Sequence, residues 1–291
     1  VSLRSISVST ATAVPGQSIT LSGDGYTKNG TLPITTGLTM KAGTVTTTAS
    51  VNSAAVSIDS TGSWSYSTIF PVLEETSGSG ISNTIVFTAT DSAGLVGVSD
   101  TAFKRTTKAV TLSPTTISPG EALTITVAGF TVDSISTDTT GAEFTVTLGT
   151  TSGGSEVTLS GTSVFPIGAD GTGTGTVTIP TTVSAVTHYV TVTDNASDVG
   201  GATVDNNNSK TVSVVVPKGV ITVTPDSVST GNTVTITGSA FPPSTTASTM
   251  TIGGADAMPS GNYLPPFLCF SAKILEYGHS LDILEDRWHS P

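Results

Sequence analysis

The chain has 291 residues, a net charge of −11 and a pI near 4.4; 11% of its residues are charged and 5% aromatic. Ten Lys and Arg spread over this length leave no basic stripe for phosphates, which excludes a nucleic-acid surface. The single cysteine, Cys269, excludes an intrachain disulfide, and no run approaches the ~18 apolar residues of a membrane-spanning helix.

One phrase recurs three times: Val14-Pro15-Gly16-Gln17-Ser18-Ile19-Thr20-Leu21, Ile117-Ser118-Pro119-Gly120-Glu121-Ala122-Leu123-Thr124-Ile125, and Val228-Ser229-Thr230-Gly231-Asn232-Thr233-Val234-Thr235-Ile236. An aromatic follows each glycine by ten positions, at Tyr26, Phe130 and Phe241, and the three glycines are 104 and 111 residues apart. That spacing is the size of a β-sandwich domain rather than of a short solenoid turn. Apolar residues alternate with Thr and Ser at period two, so the chain reads as all-β and nearly helix-free.

The first unit is expected over residues 1–107, with strands at 3–8, 18–22, 38–41, 51–58, 62–71, 85–90 and 98–103, separated by Gly, Pro and Asp turns. The second, residues 108–217, repeats both halves. Gly171 to Pro180 matches the spacing of Gly62 to Pro71, and Thr191-Val192-Thr193-Asp194 echoes Thr88-Ala89-Thr90-Asp91. A third, partial unit spans 218–262; its Thr249–Gly254 stretch matches Phe144–Gly149, and the later landmarks do not follow. Residues 263–291 contain no Thr or Val but carry Cys269, His279, His289 and Trp288. This tail admits three readings: a foreign segment, a segment that folds back to cover the gap, or a half-unit open to a strand from another copy. Residues 270–288 carry a weak helical pattern.

Asp194, Asn195, Asp198, Asp205, Asn206, Asn207 and Asn208 form the densest set of hard oxygen ligands, and calcium is the ion it would take. Their spacing fits no calcium-loop pattern, and Asp and Asn are ordinary turn formers, so turn chemistry outweighs calcium binding. Calcium apart, no cofactor is implied. Asn29, Asn195 and Asn207 open Asn-x-Ser/Thr sequons in loops and are the candidate glycosylation sites. Trp64 and Tyr66 share one face of a strand; exposed, they would stack on sugars, but a core position is the commoner role of such a Trp.

No catalytic site emerges. Glu74 and Glu75 fall in a Gly/Ser loop, and His188 lies in a strand with no Gly-x-Ser-x-Gly elbow to partner it. Cys269, His279 and His289 are ten apart, without zinc spacing, and Gly171–Gly175 precedes a strand, not a phosphate-binding helix.

The stretch Ile221-Thr222-Val223-Thr224-Pro225, followed by Gly231-Asn232-Thr233-Val234-Thr235-Ile236-Thr237-Gly238-Ser239-Ala240-Phe241-Pro242-Pro243, resembles the start of immunoglobulin-like repeats in large bacterial and archaeal surface proteins. The pieces at Asp91 and Asp194 resemble a later strand-turn of those repeats. The resemblance covers residues 1–262. It implies tandem immunoglobulin-like β-sandwiches with a truncated third and a non-repeat C-terminal tail, located at the cell surface. The expected role is a non-enzymatic S-layer, stalk or filament component whose partners are itself or other surface subunits; the alternative is an adhesin or glycan-binding spacer. The short junctions at 104–108 and 216–219 would limit bending, with Lys104, Arg105 and Lys108 pairing to acidic loops of the adjoining unit.

Overall fold

The computed structural model describes residues 4–48, 54–70, 82–99, 103–132, 142–194, 209–229, 232–242, 251–252, 255–256 and 268–273. The fold is all-β; the helix among the described residues is the four-residue turn Ile34–Gly37. No helix among them is long and apolar enough to cross a membrane.

The first two phrases become a tight turn and then a seven-residue strand, Ser18–Asp24 and Ala122–Ala128, and the third leads into the equivalent strand Thr233–Ser239. The alternation works as period two requires. Ile19 and Leu21, Leu123, Ile125 and Val127, and Val234 and Ile236 turn inward, while Thr and Ser face outward. Ser18–Asp24 pairs antiparallel with Ser5–Val8 on one side and Trp64–Ile69 on the other. A four-stranded sheet of Val96–Val98, Ile85–Thr90, Leu38–Ala42 and Val45–Thr48 shares its core, where Leu21 and Trp64 meet Met40, Phe87 and Phe103. Burying each such large side chain is worth about 1.5–3 kcal/mol.

The second core repeats the plan. Ala109–Ser113, Ala122–Ala128 and Gly173–Thr178 form three strands, and Val164–Pro166, Glu143–Gly149, Thr187–Asp194 and Ser209–Val215 form four. Leu123, Ile125 and Val127 lie in one cluster with Phe144, Val146, Val190 and Val192. Val14, from the first turn, belongs to this second cluster.

The third sheet contains Val220–Thr224, Thr233–Ser239 and, unexpectedly, Leu268–Lys273. The last of these belongs to the compositionally different tail, yet it takes the place held by Trp64–Ile69 and Gly173–Thr178. Its register is also equivalent. The residue two after each phrase glycine pairs with Ile69, with Thr178 and with Lys273 respectively. Residues 270–273 are therefore strand, where the sequence of 270–288 offers a weak helical pattern and a disordered end equally, because ladder pairing overrides a weak local period. Their structure agrees with the reading in which the tail folds back. The sheet's apolar face is exposed at the edge strand: Val234 and Ile236 are buried, but Ile221 and Val223 are 60% and 44% exposed, whereas Leu112, paired to Ile125 as Val223 is to Ile236, is 7% exposed.

Candidate functional site

In the first two units the aromatic that follows the phrase and the residue after it are each held through their backbone N–H. The Tyr26 N–H donates to Gly62 O at 3.0 Å, and the Thr27 N–H to Asp91 Oδ2 at 2.9 Å. In the second unit the Phe130 N–H donates to Gly171 O at 3.1 Å, and the Thr131 N–H to Asp194 Oδ2 at 3.3 Å. Asp91 and Asp194, noted in the sequence as parts of an echoed tetrapeptide, thus do the same work: each ends a strand and pins the loop more than 60 residues earlier. The opening turns match too. Gly16 and Gly120 donate to Phe70 O and Ile179 O at 2.8 and 2.7 Å.

The two carboxylates differ in setting. Asp91 Oδ1 also accepts the N–H groups of Ala93 and Leu95 at 3.0 and 2.9 Å. Burial pushes its carboxyl up, but the hydrogen bonds together outweigh burial and hold it below the usual range. Asp194 is buried and lies 3.1 Å from Lys108 Nζ, which also sits over the Phe130 ring. Here burial prevails over the Lys108 charge and the Thr131 hydrogen bonds, so the carboxyl is raised.

Asp194 therefore faces the protein interior and is not offered to an ion at the edge, which corrects its place in the calcium set. The reason is geometric: it ends a strand whose inward positions are Val190 and Val192. Asn195, Asp198, Asp205, Asn206, Asn207 and Asn208 lie outside the described residues, as do Glu74, Glu75, His279 and His289. Among the described residues no group of three or more His, Cys, Asp or Glu is placed to hold a metal. Lys108, one of the junction cations expected to meet an acidic loop of the adjoining unit, is paired with Asp194 at the end of a strand in the second core.

Of the sequon asparagines, Asn29 is described: it is exposed, at φ 55°, with its N–H on Asp59 O at 3.0 Å. Asn195 and Asn207 lie outside the described residues.

Trp64 is 4% exposed and meets Tyr26 edge to face, ring centroids 5.8 Å apart. Tyr66 is half-buried against the same core. The pair does not form an exposed stacking platform, so the glycan reading of this strand is corrected in favour of the core. At the positions that align with Trp64 and Tyr66 the second unit has Gly173 and Gly175, and the difference has a packing reason. The Trp64 indole fills the space above Gly23, whereas Gly173 and Gly175 leave room for the Phe144 and Phe165 rings. Aromatic volume is kept while its source strand changes.

His188 is fully buried and donates from Nε2 to Ser184 O at 2.8 Å, which orients a core ring rather than a base beside a nucleophile. Besides the strand at Leu268–Lys273, sequence reasoning missed two things, the pairing of Lys108 with Asp194 and the allegiance of Val14. The first had a signal in the recurrence of Asp91 and Asp194; the second had none.

No protein-family model matches the chain, and no curated protein sequence matches it. Among solved structures it is similar to a tetra-tandem repeat from the extending region of a large adhesion protein, at 17% identity and TM-score 0.25, over 81% of this chain and 55% of that one. It is similar to the Escherichia coli adhesin FdeC at 14% identity and TM-score 0.27, over 82% and 73% of the two chains. A third is a protein crystallised with a xylogluco-oligosaccharide, at 14% identity and TM-score 0.29, over 94% and 58%. The chain thus spans just over half of the first of these proteins.

Proposed function

We propose that the chain is a non-enzymatic structural segment of a prokaryotic cell surface, part of an S-layer, stalk or extracellular filament. The observation that supports this reading is how the polar groups singled out in the sequence are used. Asp91, Asp194 and Lys108 are committed to holding loops onto strands, in one plan built twice. Such clasps resist loop opening and proteolysis, as an exposed extracellular rod requires. Its partners are further copies of itself or other surface subunits, and calcium is the ion that the Asn195–Asn208 stretch would recruit.

Negative-stain electron microscopy of the purified chain, with and without calcium, tests this. Ordered sheets or filaments are expected, and calcium dependence would assign the ion to that stretch. Isolated rods under both conditions would overturn self-assembly and leave the alternative, a spacer within an adhesin or other secreted protein.

A further inference from the structure

We infer that the two joints of this chain differ in kind: the first is locked by a plug and socket, and the second is a hinge. The plug is the turn Val14-Pro15-Gly16. Val14 is 2% exposed and lies in the second core beside Phe130 and Val132, although Ala13 before it and Ile19 after it belong to the first. The socket is the loop after Phe130. Its Val132 N–H donates to Pro15 O at 2.9 Å, and its side chain is buried. Two glycines make the approach possible. A Cβ on Gly16 (φ 88°) would run into Val132 O, and one on Gly171 (φ 75°) would meet Val14 Cγ1 at 2.8 Å.

The covalent connection is fastened as well. Lys104–Arg105 pairs in parallel with Thr12–Ala13, and the Thr106 N–H donates to Ala13 O at 3.0 Å. Thr107 O then lies against Gly129 with no room for a Cβ. The segment that leaves the first unit is thus tied to the plug, and the plug is seated in the second.

At the second joint the strand tie is kept, with Thr116 bridging Val215 in parallel and the Ile117 N–H donating to Val215 O at 2.9 Å, but the plug and the socket are changed. Two residues before the glycine, Val14 becomes Ser118, which is half-buried. Twelve residues after the glycine, Val132 becomes Pro243, which carries no N–H and cannot make the bond to the plug. Eleven after it, Thr131 becomes Pro242, which has no N–H to donate to a carboxylate. Phe241 is 41% exposed where Phe130 is fully buried. In the first repeat, which receives no plug among the described residues, the Val132 position is the exposed Lys28. An apolar socket with an N–H therefore occurs where it is used.

Backbone ¹⁵N relaxation on the full chain tests the inference. The strands of the first two cores are expected to share one rotational correlation time, and Thr233–Ser239 to show one shorter by about twofold. Val132→Pro, which copies the third repeat, should split the first two cores into separate times. Ser118→Val with Pro243→Val should draw the third sheet towards the common time. If Val132→Pro shifts the amides of Val146, Val190 and Val192, the second core itself is disturbed, and Val14→Ser, which copies the plug position of the second joint, decides instead. Independent tumbling of the first two cores in the native chain would overturn the locked joint. A third sheet that already shares their time, or is unmoved by the double variant, would overturn the hinge.

Discussion

Lys108 Nζ and Asp194 Oδ2 lie 3.1 Å apart, and both side chains are largely withdrawn from water at the edge of the second core. The pair joins the first residues of the unit to the end of one of its central strands, and the same carboxylate oxygen holds the Thr131 N–H. It is a device for fastening one unit to itself, where a surface bridge would contribute at most about 1 kcal/mol.

Removing the cation alone should be costly. Lys108→Met leaves a buried carboxylate without its charge partner, a change that typically costs about 3–5 kcal/mol. Lys108→Met with Asp194→Asn should cost less, because the amide oxygen still accepts from Thr131. Native-state hydrogen exchange at Val190 and Val192 reads both. Equal losses in the two variants would show that the charge pairing is not what matters.

The two Asp clasps should respond to pH with opposite sign. The folded Asp91 carboxyl is depressed below its ordinary 3.8, so its contribution is present above that value and is lost as pH falls through the depressed one. Asp194 is raised, so its contribution is present below 3.8 and is lost as pH rises through the raised value. Acidification should weaken the first unit through Asp91, and Asp91→Asn should flatten that loss. Urea titrations followed by Trp64 emission check the first unit; exchange at Val192 checks the second, where Asp194→Asn should remove the opposite trend.

Trp64 should behave as a core residue. With Trp288→Phe removing the other indole, its emission should be blue-shifted and resist acrylamide, and soluble glycans should leave it unchanged. Trp64→Ala should cost about 3–5 kcal/mol, measured by urea unfolding. Red-shifted, readily quenched emission would restore the exposed aromatic face.

The tail strand can be trapped with the chain's own cysteine. Cys269 is the register partner of Thr237, and paired residues of an antiparallel ladder have Cα atoms roughly 4.5–5.5 Å apart, within disulfide range. Thr237→Cys should oxidise to an internally cross-linked monomer with a shifted mobility on a non-reducing gel. Cross-linked dimers would mean that the strand is exchanged between copies, and free thiols that it does not pair there.

Much of the architecture was legible in the sequence because strand signals are local. The alternation in Ile19-Thr20-Leu21 and in Leu123-Thr124-Ile125-Thr126-Val127 predicts both the strands and their inward faces, and the glycine-to-aromatic offset aligns the units without any structure. The echo of Asp91 in Asp194 was visible too, but not its meaning. A carboxylate at a strand end reads equally well as a turn former, an ion ligand or a clasp, until the N–H it accepts is found 63 residues away.

The sequence by itself therefore determined the all-β class, the recurring phrase and which residues of each strand point inward, since these depend on neighbours two positions apart. Tertiary structure alone decided three other matters: that Val14 serves the core of the following unit, that Lys108 answers Asp194, and that Leu268–Lys273 completes a sheet despite its foreign composition. Each depends on contacts between segments tens of residues apart. A ladder accepts almost any side chains whose inner face fits, so composition does not reveal which strand will fill the last place.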